Sequence, residues 1–210
     1  RHGQERTLEG TTQALATALH ERPKLFDGQA SFLKQVEKSR DLYAYPLAGA
    51  ILLDGKLNEW QEYQHRFIQY GEANLIMRAD PSAPLTLSFT HMVGQYDGYL
   101  YAFFQVVDPN VVFRGKNALS VDRNDHLSIA TLAPDNKFKR YIVATTQPGW
   151  ISAFELPANP KQTVPVTPEV RIQGQWATTD VGYNIELRIP LDMVGSKLGF
   201  AIADVNDSKY

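Results

Sequence analysis

Short runs of apolar or alternating residues, each bounded by Gly, Pro, Asn or Asp, occupy the chain from Ile51 onward. Side chains of a strand alternate between the two faces of a sheet, and closely spaced short strands are typical of an antiparallel β-sandwich. The predicted fold class is therefore mainly β. Strands are expected near residues 50–54, 66–70, 74–78, 85–93, 98–107, 126–132, 138–146, 149–155, 168–173, 175–178, 182–189 and 198–204.

Two of these strands can be oriented from their alternation. We expect the strand at residues 182–189 to be half-buried, with one face in the core and the other in water. Its apolar face would carry Tyr183, Ile185, Leu187 and Ile189, and its polar face Asn184, Glu186 and Arg188. The strand at residues 98–107 is apolar on both faces, which predicts a central strand with cover on both sides.

The first 45 residues predict helix instead. Leucines recur at helical spacing between residues 4 and 22, and Pro23 ends that segment. A second helix is expected at residues 29–40. The sequence thus predicts two parts, an N-terminal helical segment at residues 1–45 and a β-sandwich at residues 46–210.

The composition excludes several classes of protein. The 210 residues carry a formal net charge of −2, so the chain lacks the basic surface that nucleic-acid binding requires. The absence of cysteine excludes disulfides, thiolate metal sites and cysteine nucleophiles. The sequence contains no apolar run of about 20 residues and no signal peptide. Because the chain opens with Arg1 rather than Met, we expect further residues before it.

Several segments resemble, in order, the carbohydrate-binding β-sandwiches of the family-9 type. They are the turn from Asp54-Gly55 to Glu59-Trp60, the aromatic strand ending in Val107-Asp108, the run Asp125-His126-Leu127-Ser128-Ile129, the Ile189-Pro190 stop and the last strand at residues 198–204. The resemblance covers roughly residues 48–207. It implies a domain that binds or senses a ligand rather than one that catalyses a reaction.

The N-terminal part carries a second resemblance. Residues 8–19, Arg22-Pro23 and residues 42–47 are similar to the start of the extracytoplasmic region of sensor histidine kinases, in particular the kinase of the proteobacterial dedicated sortase system. This implies a periplasmic sensor domain at the bacterial inner membrane, between two membrane helices that lie outside the sequence. A homodimer through residues 4–20 would fit that arrangement. The sequence itself carries no kinase motif.

Aromatic side chains are the first candidates for a ligand site, because a flat apolar ring packs well against the C–H groups of a sugar. Trp60 follows the acidic turn and is expected in the core. Trp150 and Trp176 each stand beside a glycine, where a loop would expose them, and Tyr99 and Tyr101 are additional candidates. Partial burial in the sandwich is the alternative for each tryptophan.

Two oxygen-rich clusters are candidates for calcium, which takes six to eight oxygen ligands from loops. The candidate ligands are Asp122, Asn124, Asp125, Asp204 and Asp207. The same residue types also cap turns through their own backbone, so a purely structural role is the alternative. No other cofactor is expected.

Catalysis has little support in the sequence. The five histidines show no zinc-ligand spacing, and the sequence contains no nucleophile elbow, Walker loop or dinucleotide-binding motif. A pair of carboxylates for glycoside hydrolysis is one alternative. Haem binding through Met92 or Met77 is another, but it lacks an identifiable partner lysine. The chain is therefore expected to be non-catalytic.

Two functions remain. The first hypothesis is the ligand-sensing domain of a membrane histidine kinase in two-component signalling, whose stimulus is a small molecule, a glycan or a protein. The alternative is a carbohydrate-binding module attached to a secreted glycoside hydrolase.

Overall fold

In the computed structural model, which describes residues 6–8, 42–78 and 80–205, the chain forms two β-sheets that share one core. The strands are β1 (Arg6–Leu8), β2 (Leu42–Pro46), β3 (Ile68–Tyr70), β4 (Ser88–Tyr96), β5 (Tyr99–Val107), β6 (His126–Leu132), β7 (Phe138–Val143), β8 (Gly149–Trp150), β9 (Ala153–Leu156), β10 (Thr167–Pro168), β11 (Gln173–Thr179), β12 (Gly182–Pro190) and β13 (Lys197–Ala203). The prediction of a mainly β sandwich is confirmed.

The two sheets differ in size. The first sheet has the order β1-β2-β4-β5-β12-β11-β8, with β3 pairing β4 beside this path, and the second has the order β10-β9-β7-β6-β13. Neighbouring strands are antiparallel except β2 and β4, which are parallel. Helical structure in the described residues is short: two 3₁₀ helices, Asn58–Arg66 and Glu72–Asn74, and the α-helix α1, Leu191–Val194. The strands predicted at residues 50–54 and 74–78 are wrong, since neither segment pairs with a strand, and the strand predicted at residues 168–173 is wrong because residues 169–172 form the turn between β10 and β11.

The central position predicted for β5 is confirmed. Its inner face, with Leu100 and Phe104, packs in the core between the sheets. Its outer face, with Tyr101 and Phe103, packs under residues 47–67, which we call the covering segment. The middle of β5 is therefore removed from water on both faces, although only one face is covered by another sheet.

The prediction that the polar face of β12 lies in water is wrong at Glu186. The apolar face is buried as expected, but the Glu186 side chain is also fully buried, at 0% exposure. The covering segment crosses the sheet at this point and brings the turn at residues 54–60 over the carboxylate. A charged side chain at such a position needs hydrogen-bond donors to replace water.

Three N–H groups of the turn meet that need. The backbone amides of Asp54 and Gly55 each donate to Glu186 Oε2 at 2.7 Å, and the indole Nε1 of Trp60 donates to Oε1 at 2.7 Å. Asn184, two residues earlier on β12, donates from Nδ2 to the Gly55 carbonyl at 3.0 Å. Burial raises the pKa of the Glu186 carboxyl to about 7, although the three donors favour the ionised form.

The conformation of the turn depends on Gly55. Its φ is +73°, in the left-handed region that favours glycine, and a Cβ at this position would lie 2.6 Å from the Ala177 Cβ on β11. The turn can therefore lie against the sheet only with glycine here.

We expect Glu186→Gln to lower the free energy of unfolding by about 2 kcal/mol, because one acceptor oxygen becomes an NH₂ group that faces an N–H donor. Urea denaturation followed by tryptophan fluorescence measures the change. The matched control is Glu155→Gln on β9, whose partly exposed ion pair with Lys139 contributes less than about 1 kcal/mol. Equal losses in the two variants would contradict this role of Glu186.

The N-terminal prediction is tested only in part. Residues 6–8, predicted as helix, form strand β1, because their backbone pairs with β2 and tertiary pairing overrides local propensity. The rest of the first predicted helix, the whole of the second, and the dimer expected through residues 4–20 lie largely outside the described residues. Within the described part of the chain, no helix has the length and apolar character needed to span a membrane.

His91 on β4 is a second buried polar group, and it has no partner. Its side chain is 3% exposed, and neither ring nitrogen makes a hydrogen bond in the described structure. The ring stacks on Phe104 at 5.2 Å and contacts Tyr70 at 5.0 Å. Burial lowers the pKa of His91 from 6.5 to about 3.

This pKa predicts acid sensitivity. Between pH 6.5 and about 3 the unfolded chain binds a proton at His91 that the folded chain does not, so stability falls as the pH decreases through this range. We expect His91→Phe to remove this part of the pH dependence, measured as melting temperature against pH. The exposed His65 provides the control variant His65→Phe, which should retain it. A wild-type profile that matches His91→Phe would contradict the prediction.

Candidate ligand-binding surface and acidic cluster

The outer face of the first sheet remains open beside the covering segment. Direct partners in an antiparallel pair share a face, and the register places five side chains there, from the turn between β4 and β5 to the level of Phe103 in the middle of β5. They are Tyr96, Tyr99, Trp150, Gln173 and Arg188, which we call the outer-face platform. The platform crosses the five neighbouring strands β4, β5, β12, β11 and β8. Measured across the strands, it spans about 19 Å at the usual strand spacing.

Trp150 is the most exposed aromatic side chain of the platform. It lies on the short edge strand β8, opposite Gln175 of β11, and is 69% exposed. Burying a tryptophan gives a large gain in free energy, so an exposed ring on a sheet face is a strong candidate for contact with a ligand. Trp150 is therefore accessible to a ligand and stays a candidate site residue.

Arg188 is fixed in place by neutral neighbours. Its Nε and Nη2 donate to Gln173 Oε1 at 3.1 and 2.8 Å, and its guanidinium lies over the Tyr99 ring at 4.5 Å from the centroid. In the described part of the chain it forms no ion pair. The platform thus joins two tyrosine rings, an ordered cation and an exposed indole on one surface.

Two of the predicted ligand-binding residues are not accessible to a ligand. Trp176 is 1% exposed and stacks on Tyr183 in the core, with ring centroids 4.2 Å apart. Tyr101 is 2% exposed beneath the covering segment. Neither ring presents a face to a ligand, so Trp176 and Tyr101 are corrected to core residues. Tyr99 lies on the platform, and Trp60 is buried as expected.

A second feature is a cluster of carboxylates where β5, β6 and β13 come together. Asp108, Asp125 and Asp204 each offer an oxygen within 4.8 Å of the others. Asp125 is held by two backbone amides: Val112 N–H donates to Oδ2 and Val205 N–H to Oδ1, each at 2.7 Å. Strand ends therefore bring acidic residues together that are up to 96 positions apart in the sequence.

The electrostatics of this cluster favour an added positive charge. Burial, with a smaller contribution from the charge of Asp108, raises the pKa of Asp125 to about 7. Asp108 Oδ2 and the Tyr183 hydroxyl are buried without a hydrogen-bond partner in the described structure. The pKa of Tyr183 is raised by burial and by the charges of the three aspartates. Carboxylate oxygens are among the ligands that calcium prefers.

The predicted calcium ligands are brought together only in part. Asp125 and Asp204 belong to the cluster, and Asn124 beside them has a buried Oδ1 that accepts no hydrogen bond in the described structure. Asp122 is outside the cluster and accepts a hydrogen bond from the Ser120 hydroxyl. Asp207 lies outside the described residues.

A second group of carboxylates, Asp54, Glu59 and Glu186, also has oxygens within 4.8 Å of one another. Three N–H donors of the turn bond the Glu186 oxygens, and these bonds hold the covering segment to the sheet. Of the two methionines considered for haem, Met92 is buried under the covering segment and Met77 is exposed.

Sequence reasoning did not single out Arg188 or Asp108 as site residues. Arg188 is on the predicted polar face of its strand, but only the register shows that Gln173 and Tyr99 surround it. Asp108 ends the aromatic strand that carried the family resemblance, and its position at a strand end was the available signal. Its proximity to Asp125 depends on how the two sheets pack, which the sequence does not encode locally.

Comparisons with known proteins add little to this description of the fold and the candidate sites. No protein-family model matches the chain, and no curated protein matches it. One solved structure, a carbohydrate binding module family 9 from Caldicellulosiruptor kristjanssonii in complex with glucose, is similar to it with a TM-score of 0.45 and 16% identity. The similarity covers 76% of this chain and 78% of that one. At this level the likeness says nothing about the ligand of this chain.

Proposed function

We propose that this chain is a non-catalytic, glycan-binding β-sandwich that serves as the extracytoplasmic sensing domain of a membrane-bound histidine kinase. The observation that carries the proposal is the outer-face platform, with Trp150 exposed at one end. Its location would be the periplasmic face of the bacterial inner membrane. The full-length protein would be a homodimer.

The chemistry of the platform favours a sugar ligand. Glycan recognition needs a flat apolar ring for the C–H face of a pyranose and polar groups beside it for the hydroxyls. Trp150 supplies the ring, while Gln173 and Arg188 supply the polar groups on the adjacent strands. A broad open surface of this kind suits a polymer chain better than a small molecule, which usually occupies an enclosed pocket.

The connection of the N-terminal segment to the sheet supports the sensing role. That segment leads into β2, which pairs directly with residues 93–95 of β4. β4 in turn pairs with β5 along its whole length, and both strands contribute tyrosines to the platform. A ligand that favours one position of these strands would thereby bias the N-terminal segment, as sensing requires.

The same platform would serve the alternative, a carbohydrate-binding module of a secreted glycoside hydrolase. The two functions differ in what surrounds the domain in its gene. Membrane helices before Arg1 and after Tyr210, followed by a histidine-kinase core, would support the sensor. A signal peptide with a hydrolase domain would overturn it in favour of the alternative.

We expect Trp150→Ala to lower glycan affinity by tenfold or more, because the stacking surface is lost. Isothermal titration against a panel of bacterial and plant polysaccharides measures the affinity. The variant should keep the stability of the wild type, since the ring is exposed. The control is Leu119→Ala, which removes another highly exposed apolar side chain outside the platform. The absence of binding to every glycan, or equal binding by both variants, would contradict the proposal.

We also propose that the cluster of Asp108, Asp125 and Asp204 binds calcium and stabilises the strand ends. Calcium at a concentration of 100 times its dissociation constant should raise the free energy of unfolding by about 2.7 kcal/mol, and the melting temperature should rise with it. The effect should strengthen as the pH rises through 7, because protons compete for Asp125.

The variant Asp125→Asn should abolish this calcium response, measured as the shift in melting temperature between calcium and chelator. The control is Asp135→Asn in the exposed turn between β6 and β7. No shift in the wild type, or the same shift in Asp125→Asn, would rule the calcium site out.

A further inference from the structure

We infer that the outer-face platform recognises an acidic glycan, with Arg188 binding the carboxylate of a uronic acid residue. This inference rests on the proposed glycan-binding function and specifies the class of its ligand. It depends on how the guanidinium of Arg188 is held and on where it lies relative to Trp150.

The guanidinium presents its free edge away from Gln173. A guanidinium carries five N–H groups, of which Gln173 Oε1 accepts one from Nε and one from Nη2. Three N–H groups remain, on Nη1 and Nη2. These two nitrogens form the end of the fork, which is the edge that a carboxylate contacts with two parallel hydrogen bonds.

The side chain is also ordered before any ligand binds. Gln173 fixes one edge of the guanidinium and the Tyr99 ring supports its face at 4.5 Å. Holding a long cationic side chain in one conformation normally costs entropy when a ligand binds. Because this cost is already met in the fold, Arg188 is a better anion anchor than a free surface arginine.

The charge of Arg188 is not neutralised within the described structure. Ion pairs instead join Lys56, Lys137, Lys139 and Arg171 to carboxylates. The acidic residue on the same face of β12, Glu186, is buried, and its oxygens accept N–H groups from the covering segment. Arg188 therefore keeps a full positive charge for a ligand.

The position of Arg188 sets the size of the ligand. Trp150 pairs with Gln175, and Arg188 pairs with Gln173, so the two site residues are two strands and two residues apart. Strand geometry puts their Cα atoms about 12 Å apart. Trp150 and Arg188 would therefore contact different sugar residues of one chain, so the ligand is an acidic oligosaccharide or polysaccharide rather than a single sugar.

The experiment compares uronic-acid polysaccharides with the same polymers after reduction of their carboxyl groups to alcohols. This treatment removes the charge and leaves the sugar backbone in place. Isothermal titration of the wild type should give an affinity for the acidic form about tenfold or more above that for the reduced form. The preference should decrease as salt is added.

Three variants test the assignment to Arg188. In Arg188→Gln the ratio of the two affinities should fall to about one, and in Arg188→Lys it should take an intermediate value, because the charge remains but the fork is lost. Lys137→Gln removes the same charge from the second sheet, at the turn before β7, and should keep the wild-type ratio. Trp150→Ala should lower the affinity for both forms.

The outcomes separate this inference from the proposed function. If the wild type binds glycans but shows no preference for the acidic form, the inference is overturned and glycan binding stands. Tighter binding of a sulfated polysaccharide than of any uronate would overturn the choice of a carboxylate. If no glycan of either kind binds, the proposed function fails and the inference fails with it.

Discussion

The hydrogen bonds of Glu186 are the interaction on which the rest of the structure depends. They fasten the turn at residues 54–60 to the middle of the first sheet, and with it the whole covering segment. This segment provides the cover that the aromatic outer face of β5 needs. Because it covers only part of that face, the remaining part is open to solvent and carries the outer-face platform. A single buried carboxylate thus divides one sheet face into a packed half and an exposed half.

Much of the fold could be predicted from local sequence patterns. The alternation in β12 predicted its apolar face in the core, and the apolar residues on both faces of β5 predicted cover on both sides, because these patterns lie within the strands themselves. The burial of Glu186 could not be predicted in the same way. Its donors lie up to 132 positions earlier in the chain, and a glutamate in an alternating strand normally faces water.

The candidate site also could not be predicted from local sequence patterns alone. Trp150 directly follows Gly149 and Trp176 lies two positions after Gly174, and this proximity to glycine led to the same expectation of exposure for both. The strand pairing distinguishes the two tryptophans. Trp150 is opposite Gln175, whereas Trp176, one position further on β11, points to the other face and into the core. A shift of one residue exchanges the two faces of a strand, so exposure depends on register. The acidic cluster likewise depends on how strand ends from both sheets meet, and only Asp125 and Asp204 of its three members were expected.

The pairing of β2 with β4 has a further consequence for how the domain keeps itself apart from other chains. Strand β2 covers the backbone of residues 93–95, next to the stretch that β3 covers. Without β2 these amides and carbonyls would form an open sheet edge, to which a strand of another molecule can add. Strand β2 therefore also shields this part of the sheet from self-association, and displacement of β2 would expose backbone groups to which another chain can pair.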